Sequence, residues 1–421
     1  MSQSDWQRAP VSEVVFFQEG PGLRNWQWTE IGMKVINGTN IRDDGRFDPS
    51  NTTRAISMEE FESKYQHFAI CANDIVVASS GTLGKAARVK AKHLPMMMNT
   101  SVIRFRTSDS RRLADDFLFA WLRSRDFLDQ ALGMATGAAQ QNFGPSHIKR
   151  MTMPLPPLGE QRRIAAILSA YDDLIENNTR CITILEEMAR RIYEEWFVRF
   201  RFPGHEHTRM IDSDLGPMPE GWAAVKLGQL AEINARSVRR GMEPGEIRYV
   251  DISSVSTGSI DKKETMSFAD APGRARRIVR DGDVIWACVR PNRKSYALVL
   301  DPDHNLLVST GFAVLTPVNA PWTFVYQCVT TNHFVSYLVN HAKGAAYPAV
   351  GAEEFENARV LLPKADLLRA FDELSAPMMR LVATLQRKNT NLRTARDLLL
   401  PKLISGELDV SDLPEPQAAS A

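Results

Sequence analysis

Cysteine is scarce and scattered. Cys71, Cys181, Cys288 and Cys328 are the only four in 421 residues, and none forms a Cys-x-x-Cys pair. This excludes a disulfide framework and a thiolate zinc cluster and fits a reducing compartment. One-sided charge is missing too. The 51 Lys and Arg residues balance 50 Asp and Glu, a net +1. No overall field draws in a polyanion, so contact with one has to come from local basic patches. The first residues, "MSQSDWQRAPVSE", carry no apolar signal region, and no apolar run approaches a membrane span. A cytoplasmic protein that does not use a membrane is expected.

Catalytic signatures are absent as well. "GTLGK" (residues 81–85) resembles a phosphate loop, but GxxxxGK[ST] requires glycine where Ser79 stands and a hydroxyl where Ala86 stands. "HEH" (205–207) lies in a Pro/Gly-rich stretch without further metal ligands. "ESK" places Glu62 and Lys64 at the spacing used by metal-dependent nucleases, a tripeptide common by chance. There is no dinucleotide fingerprint and no GxSxG. No metal, cofactor or catalytic residue of its own is assigned to the chain.

What is present is a repeat. "GAAQQNFG" (137–144) returns as "GAAYPAVG" (344–351), 207 residues later. The offset persists: Pro156 falls on Pro363, Leu185 on Leu392 and Phe127 on Phe334. With small gaps, "NDIVVASSGTLGK" (73–85) matches "GDVIWACVRPNRK" (282–294), and "MNTSVIRF" (98–105) matches "VSTGFAVL" (308–315). Two copies are too few for a solenoid, so two similar domains are expected. Each begins with strand-like Val/Ile runs. One helix is expected over residues 114–132, followed by a short edge strand such as "MTMPLP".

Each half then changes period. Residues 160–200 contain no Gly or Pro. Ile164, Ile167, Tyr171, Leu174, Asn178, Cys181, Leu185, Met188, Ile192 and Glu195 follow a heptad, and each has a mate 207 positions on, from Phe371 to Lys402. Heptads of this length predict two coiled-coil helices pairing antiparallel, with the globular domains at opposite ends. A helix of about 40 residues spans roughly 60 Å, a ruler long enough for two half-sites one DNA turn apart. Pro377 predicts a kink, or a restart with proline in the first turn. Leu168, Ile175, Ile182, Trp196 and Phe197 widen the apolar stripe beyond a two-helix seam. That width fits either a docked partner or the chain's own domains.

The repeated loops carry the candidate binding residues. Gln140, Gln141 and Asn142 in one copy, and Tyr347 in the other, fill the same Gly-Ala-Ala frame. Gln and Asn pair with adenine edges, and aromatic rings pack on bases. The second loop holds Ser79, Ser80, Thr82, Lys85 and Arg88, against Arg290, Asn292, Arg293 and Lys294. Lys and Arg bind phosphates, and Arg also reads guanine. "PGRARR" adds Arg274, Arg276 and Arg277.

The layout resembles the specificity subunit of type I restriction–modification systems. "PLPPLGEQRRIAAIL" (154–168) is similar to that family's central repeat. "GPMPEGWAAVKLGQL" (216–230) resembles its lead-in to a second recognition domain, and "LLLPKLISGEL" (398–408) its closing helix. The expected fold class is α+β. Two similar α/β target recognition domains (1–155 and 222–362), related by a pseudo-twofold axis, are separated by two long antiparallel coiled-coil helices (156–202 and 363–410). A linker (203–221) and a tail (411–421) complete the chain.

The resemblance implies a non-catalytic subunit that reads a bipartite target in double-stranded DNA, one half per domain. It implies two modification subunits that dock on the helices and methylate adenine with S-adenosylmethionine. In restricting systems, restriction/translocase subunits using ATP and Mg join them. Glu160 and Gln161, with Trp196 and Phe197, are the expected partner contacts. The second helix start, "LLPKADLLRAF" (361–371), lacks the Pro-Pro-Leu and the Glu-Gln, so identical contacts at both starts do not follow. Two readings from other classes stay open on the residues alone: a nuclease using Glu62 and Lys64, and a two-headed structural adaptor.

Overall fold

A four-residue strand buried at every position lies at the centre of each half: Ile75–Ala78 in the first, Val284–Ala287 in the second. Such continuous apolar runs arise when both faces of a strand are covered. In the computed structural model, which describes residues 6–42, 45–50, 52–81, 83–134, 142–213, 216–239, 241 and 244–414, both faces are. The chain divides into two compact units, Met1–Asn177 with Asn389–Ala421, and Asn178–Lys388. Each unit holds one globular region and a stretch of each long helix.

In the first unit an antiparallel sheet runs in the order Val15–Glu19, Val102–Thr107, Ile75–Ala78, Ala86–Arg88. Ile75 and Val77, with Ile103 and Phe105, face the helices Asp115–Leu122 and Arg125–Met134. Val76 and Ala78 face the other way, onto Ile36, Ile41 and Met98. A smaller sheet there pairs Met33–Ile36 parallel to Met97–Met98 and antiparallel to Ala55–Ile56.

The second unit repeats the plan. Its main sheet runs Ala231–Ile233, Phe312–Pro317, Val284–Ala287, Tyr296–Leu298. Its smaller sheet again has one parallel pair, Glu246–Val250 with Leu306–Ser309, and gains the strand Ala275–Ile278, which the first unit lacks among its described residues. The elements the two units share follow in the same order, so the duplication read from the sequence is a duplication of fold.

The single helix expected over 114–132 is two helices. Ser124 separates them: its hydroxyl donates to the Trp121 carbonyl at 2.7 Å and accepts from the Phe127 amide. Thr331 caps the matching second helix in the other unit by accepting from the Phe334 amide at 3.1 Å. A side-chain oxygen at a helix start satisfies an amide that would otherwise lack a partner. The edge strands are as expected: Thr152–Pro154 pairs with Arg8–Pro10, and Arg359–Leu362 with Ala223–Lys226.

The long helices run Leu158–Tyr193, continued by one wider turn at Glu194–Val198, and Ala365–Ile404. The second does not restart at Pro377, which lies exposed inside it. Within the first unit the two are antiparallel: Asp172 meets Arg396, and Leu168 shares a core with Leu403. Within the second, Tyr193 and Phe197 pack on Phe371.

The buried row differs from the predicted heptad by one residue, about 100° around a helix. Gln161, Leu168, Ile175 and Ala189 are buried, as are Leu368, Ser375, Val382, Asn389, Arg396 and Leu403. Leu174, Met188, Leu374 and Leu381, placed in the seam from the sequence, are exposed. Ile164 and Phe371 of the predicted seam are buried, as are Leu168 and Ile175 of the wider stripe; because the inner row is partly polar and the outer row partly apolar, hydrophobicity alone set the centre of the seam one residue off.

Candidate nucleic-acid interface

In the first unit four loops meet at one end of the main sheet. The Gly20 amide donates to Val102 O, Thr100 N to Pro21 O, and Ser79 N to Ser101 O, all at 3.0–3.1 Å. Phe143 N donates to Ser79 O at 3.1 Å, and Ser80 bridges Asn142. The loops that follow strands Val15–Glu19 and Ile75–Ala78 therefore abut the start of Val102–Thr107 and the segment that closes the Gly-Ala-Ala frame.

The second unit builds the same junction. Cys288 N donates to Gly311 O at 2.9 Å, Val350 N to Cys288 O at 3.0 Å, and Val289 bridges Ala349. The two repeated loops of each half are thus neighbours, joined by equivalent backbone bonds. The side chains on them differ.

Those side chains divide into anchored and available. Ser79 is buried and its hydroxyl is turned to Thr100 O. Ser80 is half-buried at the bridge, and Asn142 is exposed. Arg88 is held by Asp116 at 2.5 Å and lies over Phe119, which ties it to the helix behind the sheet. Lys85 is half-buried in the same loop. Thr82, Gln140 and Gln141 lie outside the described residues.

In the second unit Arg290 adopts a left-handed backbone (φ 52°) and stacks over Tyr347, 4.8 Å to the ring centroid; Tyr347 is 69% exposed. Asn292 and Arg293 are exposed, and Lys294 donates to Asn332 at 2.9 Å. Arg274 is paired with Asp251 at 2.6 Å, Arg276 lies over Phe268, and Arg277 donates to Ser237. The structure joins this run to the others, because Thr310 N donates to Arg274 O.

Of the expected partner contacts, Gln161 and Phe197 are buried within their own units. Gln161 donates to Arg112 O and Pro156 O and accepts from Ala114 N, each at 2.8 Å, fastening the helix start to its globular region. Phe197 packs among Tyr193, Trp222, Phe324 and Phe371. Neither side chain is open to a partner. Trp196 is half-buried beside Phe371, and Glu160 lines an open groove with Trp6, Arg111, Arg112 and Leu158. Glu62 and Lys64 sit in one short helical stretch, Phe61–Tyr65, with Lys64 4.0 Å from Glu60.

Sequence reading passed over Glu19. It ends the first strand at the same sheet end, its Oε2 3.8 Å from where a Cβ on Gly144 would stand. Burial raises its pKa above the ordinary carboxylate value, while a Thr100 hydrogen bond opposes the shift. The strand register is the signal that locates it, and no local motif marks it.

Two α+β units that share a main-sheet plan, each with the two repeated loops joined at one sheet end, define a protein with a duplicated fold. That fold is found in the crystal structure of a type I restriction–modification system S subunit from M. genitalium: TM-score 0.58, 16% identity, 97% of each chain covered. Residues 3–187 match the family described as type I restriction modification DNA specificity domain. The chain is 24% identical to the type I restriction enzyme MjaIX specificity subunit of Methanocaldococcus jannaschii, over 72% of this chain and 71% of that one. It is 23% identical to the MjaVIII specificity subunit of the same organism, over 81% and 80%. In fold, and in sequence over most of its length, the chain is similar to type I specificity subunits. No helix among the described residues is long and apolar enough to cross a membrane.

Proposed function

We propose that this chain is the non-catalytic subunit that reads a bipartite target in double-stranded DNA and directs adenine methylation, and restriction where a nuclease partner exists, by subunits docked on its long helices. One observation carries the reading. Equivalent backbone bonds join the same two loops in both units, Phe143 to Ser79 and Val350 to Cys288, while the side chains on that frame differ. A common scaffold with two side-chain sets suits two different half-sites. Asn142, Ser80 and Lys85 serve one half; Arg290, Asn292, Arg293 and Tyr347 serve the other. Direct base reading needs a few such donors, acceptors and rings, and flanking Lys and Arg fix the register on phosphates.

The partner surface is the outer face of the helices. Leu174 is 51% exposed and Leu381, 207 residues on, is 46% exposed. Ile184, Met188 and Leu374 are exposed as well. Apolar side chains recurring along a helix face away from its own core suit a protein partner. Glu160 and Trp196 flank that surface in sequence, one near each end of the first helix.

Duplex binding by the chain assembled with its modification subunits, measured against salt, tests the reading. Affinity should fall steeply and log-linearly as salt rises. No duplex binding by the assembled complex, or partner binding alone with no salt dependence, would favour an adaptor role.

A further inference from the structure

Glu19 is a carboxylate standing where the recognition reading calls for contact with a polyanion. It ends the strand Val15–Glu19, and Gly20 and Pro21 beyond it bond to Val102 and Thr100. Thr100 O also accepts from the Ser79 hydroxyl, and Ser79 N donates to Ser101 O. Among the described residues no cation forms an ion pair with Glu19. The one hydrogen bond its carboxylate accepts comes from the Thr100 hydroxyl at 3.5 Å, the long limit of such bonds. Oε2 lies beside Gly144, the closing glycine of the Gly-Ala-Ala frame.

The second unit supplies a comparison. Phe17 pairs with Phe105 as Ile233 pairs with Leu315, and those partners in turn pair with Ile75 and Val284. Glu19 is still paired there, with Ile103, whereas the matching strand of the second unit ends at Ile233 and the residues that follow it, Asn234 and Ala235, carry no acid. The carboxylate is therefore a feature of one unit and not a requirement of the shared scaffold.

An ionised carboxylate accepts hydrogen bonds and donates none. Near DNA it repels phosphate, and it is repelled by the N7 and O6 acceptors of guanine. Exocyclic amino groups are what it can bind. Cytosine offers N4 in the major groove with no acceptor beside it, whereas adenine sets N7 next to its amine. We infer that Glu19 is a specificity-determining residue of the first unit, accepting a hydrogen bond from the amino group of a cytosine in one half-site. The inference rests on the DNA-reading role proposed above.

The same residue type supplies the test. Glutamine keeps the shape of glutamate, adds a donor and can bind adenine at N6 and N7 together. The full chain, its Glu19→Gln variant and its Glu19→Ala variant would each be co-expressed with the modification subunits, and host DNA sequenced for N6-methyladenine. Wild type should give a split motif with a required cytosine in one half. Glu19→Gln should lose that requirement and admit adenine there, with cytosine preference falling about 10- to 100-fold. Glu19→Ala should accept several bases at the same position. The other half-site should be unchanged in both, which also shows that the variants fold. A wild-type motif read identically by both variants overturns the inference alone. So does a change to guanine or thymine, or relaxation spread over both halves. Absence of any wild-type motif together with absence of duplex binding overturns the recognition reading, and this inference with it.

Discussion

Arg290 lies over the ring of Tyr347, 4.8 Å from its centroid, and so joins the two repeated loops of the second unit through side chains as well as backbone. A cation held on a ring face is oriented without being neutralised, and stacking on an exposed ring adds only about 0.5–1 kcal/mol to stability. The pair presents a positive, planar surface. Arg290→Ala should weaken duplex binding about 10- to 100-fold, reduce the salt slope by about one charge and leave the unfolding midpoint nearly unchanged. Fluorescence titration with duplexes altered in one half at a time checks this. Equal loss for both halves would contradict a role confined to the second unit.

Arg396 is the buried charge of the first unit's helix pairing. It lies 2.6 Å from Asp172, which also receives Arg123 at 2.6 Å. Arg396→Ala should cost about 3 kcal/mol in chemical unfolding, because truncation leaves a cavity and strips Asp172 of one partner. Arg396→Met should cost clearly less, since methionine fills the space and Arg123 remains on Asp172. Equal costs would mean that the ion pair is incidental.

Leu168 and Leu174 differ in the same helix by less than two turns and by nearly their whole burial, 5% against 51% exposed. Leu168→Ala should destabilise by about 2–4 kcal/mol. Leu174→Glu should shift stability by no more than about 0.5 kcal/mol yet reduce co-purification of the modification subunit. Leu381→Glu should behave alike in the other unit. Unimpaired assembly by the double variant would remove this face as the docking surface.

Glu186, on the first long helix, lies within 3.9 Å of where a Cβ on Gly258 would stand. Burial raises its pKa, with Arg190 pulling the other way. An unfolded glutamate ionises near pH 4.3. As pH rises past that value the unfolded chain releases its proton first, so folded-state stability declines until the raised folded pKa is passed. Glu186→Gln should therefore raise the melting midpoint at about pH 7.5 and leave it little changed at about pH 4. A midpoint lowered at neutral pH would show that the carboxylate is needed in its charged form.

The repeat was the most legible feature, because a register of 207 residues survives where individual side chains do not. Pro156 with Pro363 and Phe127 with Phe334 sufficed to predict one fold made twice. Helix rotation was not legible. Gln161, Ser375, Asn389 and Arg396 occupy the buried row, and the bonds that hold Gln161 to Pro156 O and Arg396 to Asp172 are not encoded in any hydropathy pattern. Leu174 and Leu381 meanwhile lie outside. Residues 114–132 read as one helix because apolar spacing continues across Ser124; the break is a local hydroxyl bond. The candidate site was half legible. The loops were found from their duplication, but which side chains are already engaged, as Arg88 is by Asp116, depends on helices distant in sequence. Glu19 was hidden for the same reason, since only strand register places it among those loops.

The central claim is that two equivalent loop junctions read two different half-sites. Sequencing N6-methyladenine in DNA from a host that co-expresses this chain with its modification subunits tests it most directly. The account predicts one split motif, two unlike defined halves around a fixed gap, with an adenine modified in each half on opposite strands. A continuous motif, or a single half repeated symmetrically, would contradict it.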